Sequence, residues 1–169
     1  MSLEHDKKYK KLYNYIYKFK QSVALVEDDI TTNLLDDLKK DLQSKTIFVY
    51  IDFKNIHSTR ELATKLIEQY KLHIDNNIDI KLSSDDYTAL DYILELFEQA
   101  ETIHENITIW MDSFTNVLTM EEDWLFGLLR GHFQQNQYTV YIFTSDSKDK
   151  INSVFYDKEN PFFRFARII

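Results

Sequence analysis

Four short runs of apolar, β-branched and aromatic residues, SVALV (22–26), TIFVYIDF (46–53), ITIWMD (107–112) and YTVYIFT (138–144), recur along the chain, separated by stretches of helical periodicity. None alternates cleanly between apolar and polar residues. A strand of that kind has no face to offer water, so it reads as a central strand covered on both sides. Such strands, alternating with helices, close into a parallel sheet with helices packed above and below. The expected fold is therefore α/β: a three-layer α/β/α sandwich with a mainly parallel central sheet of about five strands. The fifth would come from FFRFARII (162–169), and residues 1–169 would form a single domain.

The helical stretches carry their own signals. Residues 1–20 place Tyr9, Leu12, Tyr13, Ile16 and Phe19 or Lys20 on one face and lysines behind, an amphipathic helix expected to pack on the sheet. NLLDDLKKDL aligns Leu34, Leu35, Leu38 and Leu42. Ser58 and Glu61 have capping-box spacing ahead of Leu62, Leu66, Ile67 and Tyr70; Thr119 and Glu122 repeat it ahead of Trp124, Leu125, Leu128 and Leu129. A polar loop through DNNID leads into another helix, whose stripe is Leu90, Ile93, Leu94 and Phe97. Two Gly and one Pro are too few for an all-β meander of tight turns.

Composition narrows the function classes. The absence of Cys excludes disulfides, thiolate metal sites and cysteine nucleophiles. A formal charge of −8 makes a nucleic-acid partner an unlikely one, although six lysines against two acids make residues 1–20 locally basic. No run approaches the ~20 apolar residues of a membrane span and no signal-peptide core opens the chain, so the expected location is cytoplasmic. The five histidines show no i, i+4 pair of the kind that binds zinc and read as surface or capping residues.

Ligands of parallel α/β sheets bind beyond the carboxyl ends of the strands. Here those ends run into Glu27, Asp28 and Asp29, then Asp52, then Asp112, then Thr144, Ser145 and Asp146. The first of them, VALVEDDITTNLLDDL (23–38), has the outline of a phosphate-binding loop: strand, polar turn, helix beginning at a hydroxyl. A working loop reads G-x-x-x-x-G-K-[ST], in which glycines let amides wrap the phosphates and the lysine neutralises them. With Thr32 as the hydroxyl, Thr31 fills the lysine slot and Ile30 and Leu25 fill the glycine slots. Glu27, Asp28 and Asp29 would repel a triphosphate by roughly 4 kcal/mol per pair of charges about 4 Å apart at an effective dielectric near 20.

The ordered set SVALV…TTNLLDDL, IFVYIDF…STREL, ENITIWMDSF and YTVYIFTSDSKDKINSVFYDKENPFFRFARII resembles the core of the archaeal-type ATPases, an AAA+ and STAND-related branch of the P-loop NTPases. The likeness covers about residues 22–169. It implies that Asp112 and Ser113 stand at the Walker B position, with the metal-positioning Asp kept and the water-activating Glu lost. It implies too that Thr144 and Ser145 are sensor-like, and that the family's helical lid is missing after Ile169. With Glu27, Asp28, Asp29, Thr31 and Thr32 as a degenerate nucleotide loop, the expectation is a pseudo-ATPase with no catalytic residue and no cofactor. Its partner would be a protein, either an AAA+ ATPase or a second copy.

A rival reading takes Asp28, Asp52, Asp112 and Asp146 as ligands for Mg2+ or Mn2+ in a phosphohydrolase or nuclease. The DFK segment ending at Lys54 also echoes the acid-x-Lys pair of restriction-type nucleases. The plainer account of these aspartates is that Asp is common where a strand turns into a loop and caps the next helix.

Overall fold

The computed structural model describes residues 3–27 and 32–169. Its sheet has five strands: β1 (Val23–Val26), β2 (Ile47–Asp52), β3 (Ile107–Asp112), β4 (Val140–Ser145) and β5 (Arg167–Ile168), in the order β2-β3-β4-β1-β5. Every pairing is parallel, as the unbroken apolar runs require. β3 and β4 are buried along their whole length, whereas β2 lies at an edge and not centrally as its apolar run suggested, half-buried at Ile47, Tyr50 and Asp52. The free side of β2 is partly closed by α3 (Thr59–His73), where Gln69 accepts a hydrogen bond from the Tyr50 amide at 3.0 Å. The fifth strand is much shorter than the FFRFARII run, since only Arg167 and Ile168 reach β1.

Side chains alternate across the sheet and sort the helices into two layers. Val23, Leu25, Phe48, Trp110, Val140 and Ile142 meet α1 (Leu3–Tyr13) and α2 (Thr32–Lys45), which supply Leu12, Leu34, Leu35, Leu38 and Leu42. Ala24, Val49, Ile51, Ile109, Met111, Tyr141 and Phe143 face α3, α4 (Asp86–Glu101), α5 (Leu125–Gln135) and α6 (Lys148–Phe155). Phe114, Phe143, Phe155 and Phe162 pack ring against ring at the centre of that second layer. No helix of the structure is long and apolar enough to cross a membrane among the described residues.

The local signals fared unequally. Ser58 caps α3, accepting from the Glu61 amide at 3.1 Å, while Glu61 returns to the His57 amide at 2.7 Å. The second box does not form. Thr119 closes a 3-10 turn (Phe114–Thr119), its hydroxyl donating to the Asn116 carbonyl at 2.7 Å, and α5 starts after Trp124 with no side-chain cap. The turn has already used Thr119, which the box would need. The N-terminal helix continues beyond Tyr13 as a π-helical turn (Asn14–Lys18), so Ile16 stays buried but Phe19 is 61% exposed.

Candidate functional site

At the carboxyl rim, β2 and β3 end in register at Asp52 and Asp112, and β4 ends at Thr144 and Ser145 beside Leu25 and Val26 of β1. Asp112 is only 8% exposed. It accepts hydrogen bonds from the Thr144 hydroxyl at 2.9 Å and from the Tyr50 hydroxyl. Ser113 turns the chain through the left-handed region (φ 54°), and its amide donates to the Thr144 hydroxyl oxygen at 3.3 Å. One residue on, the Ser145 and Thr115 hydroxyls bond each other at 2.6 Å, and Ser145 also accepts from the Ser147 amide at 3.2 Å. The Glu27 amide extends the β1–β4 pairing by donating to the Ser145 carbonyl at 2.8 Å.

The half-buried Glu27 carboxyl faces Asp112 and Thr144. Burial, reinforced by the charge of Asp112, pushes its pKa above the ordinary carboxylate range. Burial acts on Asp112 in the same sense but is outweighed by the hydrogen bonds from Tyr50 and Thr144 and by the nearby Lys39 and Lys54, so its pKa is lowered. The rim thus holds one firmly ionised carboxylate beside one that retains its proton more readily. Burial and then Asp112 raise the Tyr50 pKa, which keeps the phenol a donor. From the second turn of α2, the Lys39 ammonium lies 4.9 Å from the ring centre of Trp110 and 5.0 Å from that of Tyr50.

Asp112, Ser113, Thr144 and Ser145 therefore meet in one polar cluster with Glu27. Asp28, Asp29 and Thr31 lie outside the described residues, and Thr32 begins α2. Asp52 and Asp112 are cross-strand neighbours, but Asp146 does not join them as its strand-end position suggested. Asp52 caps a 3-10 turn (Phe53–Asn55), accepting from the Lys54 amide at 2.9 Å, and the Asp146 side chain is 81% exposed, 4.0 Å from Lys150. Among the described residues, no three His, Asp or Glu side chains are placed to hold a metal ion.

Sequence reasoning missed Tyr50, Lys39 and Trp110 as members of this cluster. Their meeting depends on the rotation of α2 over β2 and β3, and the only local hint is that Lys39 adjoins the buried stripe of Leu35, Leu38 and Leu42. It also misplaced His132, which is not a surface or capping residue. Only 16% exposed at its side chain, it bridges Asp91 of α4 at 2.7 Å and Glu98, pinning α5 to α4.

No protein-family model matches the chain, and no curated protein does. Solved structures do. A Walker-type ATPase of Pyrococcus abyssi superposes with a TM-score of 0.71 at 13% identity, over 98% of this chain and 52% of that one. Cdc6p from Pyrobaculum aerophilum gives 0.66 at 11% identity, over 98% and 45%. The ORC2 protein of Aeropyrum pernix, solved as ADPNP–ADP complexes, gives 0.60 at 11%, over 98% and 46%. The chain spans about half the length of each. At these identities the likeness is one of fold alone, a parallel α/β sheet of the P-loop-NTPase kind.

Proposed function

We propose that this chain is a non-catalytic ATPase-like domain of the cytoplasm that acts through protein contact and needs no nucleotide or metal. The observation behind this reading is the state of Asp112. The carboxylate that the resemblance casts as metal-positioning is buried and already served by Tyr50 and Thr144, with Glu27 against it. A triphosphate entering the rim would meet the Asp112 charge, at roughly 4 kcal/mol per pair of charges about 4 Å apart. The cationic Lys39 is spread over two aromatic faces, and Ser113 fills the position that the resemblance assigns to a general base. Calorimetric titration of the chain with ATP and with ADP, each with magnesium, tests the reading. No heat of binding is the expected result, and low-micromolar affinity for either nucleotide would end it.

A further inference from the structure

Between α3 and α4, residues 78–82 lie outside any helix or strand and alternate strictly in burial. Ile78, Ile80 and Leu82 are half-buried against the core, and Asp79 and Lys81 are exposed. This is the pattern of a strand on a sheet, but no sheet is there. Among the described residues, no backbone amide or carbonyl of 78–82 has a hydrogen-bond partner. The segment is nonetheless held at both ends. Asp75 accepts from the Asn77 amide at 3.0 Å before it, and after it Arg60 donates to the Ser83 carbonyl at 2.9 Å while contacting Asp86 at 3.0 Å. Beside it lies an open groove lined by Lys81, Leu82, Ser83, Thr88, Ala89 and Tyr92.

A segment of strand-like alternation with unspent backbone groups is a template for a second strand. We propose that its partner is the same segment of a second copy, paired antiparallel about a two-fold axis through Ile80. The charges support that occupant. Antiparallel pairing centred on Ile80 sets Asp79 of each copy opposite Lys81 of the other, both on the exposed face, and Ile78 opposite Leu82 on the apolar face. A parallel pairing in register would put like charge against like. The interface is isologous, so each contact occurs twice. This proposal specifies the protein contact invoked above and rests on that part of the reading. The two fail separately, because nucleotide titration tests the rim and molecular mass tests this strand.

Sedimentation velocity over a concentration series reads the association directly. The unaltered chain should shift from one to two copies as concentration rises. D79K, which sets lysines against each other, and K81D, which sets aspartates against each other, should each weaken dimerisation by about tenfold or more. The double variant D79K/K81D restores opposite charges and should recover it. Carbodiimide treatment of mixed heavy- and light-isotope protein should yield an intermolecular Asp79–Lys81 cross-link. All these side chains are exposed, so the variants should melt like the parent. A single-copy mass at every concentration, a dimer indifferent to both single reversals, or a double variant that stays monomeric would overturn the proposal.

Discussion

The rim and the 78–82 segment treat their polar groups in opposite ways. At the rim, Asp112, Tyr50, Thr144, Ser145 and Thr115 bond one another. Along 78–82 the backbone groups are left to water, although the side chains beneath are anchored. A buried polar network gains stability by being complete and loses it when one member is removed, whereas an exposed backbone edge contributes little until a partner arrives. On this comparison the rim is a closed network of side chains, and the proposed contact draws on a different part of the surface.

The comparison can be broken first at its strongest point. D112A should lower the unfolding free energy by about 3 kcal/mol in urea titration, because the Tyr50 and Thr144 hydroxyls lose a charged acceptor in a buried site. Y50F should cost less, about 1.5 kcal/mol, and the double variant less than the two together, since both remove the same bond. A strictly additive result would show that the rim is not one network.

Titration sharpens the contrast further. The lowered pKa of Asp112 stabilises the fold above the ordinary Asp range, and that contribution is lost as pH falls through its folded value. Glu27, with a raised pKa, behaves oppositely: its contribution is complete below the ordinary Glu range and fades as pH climbs through the folded value. Melting temperature followed from pH 3 to 8 should therefore show a shallower acid limb in D112N and a shallower decline toward neutrality in E27Q. The smallest effect belongs to the segment: D79K should change the stability of the single chain by no more than about 0.5 kcal/mol, as expected of an exposed site. A larger loss would mean that 78–82 is already serving the fold.

How much of this was legible beforehand follows from the range of each interaction. The four apolar runs and the leucine stripes announced layers and sheet because burial on both faces leaves its mark on consecutive residues. Ser58 announced its helix because its partners lie within four positions. Thr119 misled, since an identical local spacing was claimed by a 3-10 turn anchored on Asn116. Tyr50 and Asp112 are 62 positions apart, and Lys39 reaches them only once α2 is laid across the sheet; no local pattern encodes that meeting. The stretch around DNNID read as a polar loop because its acids and asparagines drew the eye from the alternation that begins at Ile78.

The bond from the Tyr50 amide to Gln69 bears on how large an assembly can become. By occupying a donor on the outer margin of β2, it discourages further chains from stacking sideways there. Pairing through Ile80 is isologous, so each copy presents the same margin to its partner. A protein with that margin of its main sheet guarded should resist growing into fibres by adding strands beside β2.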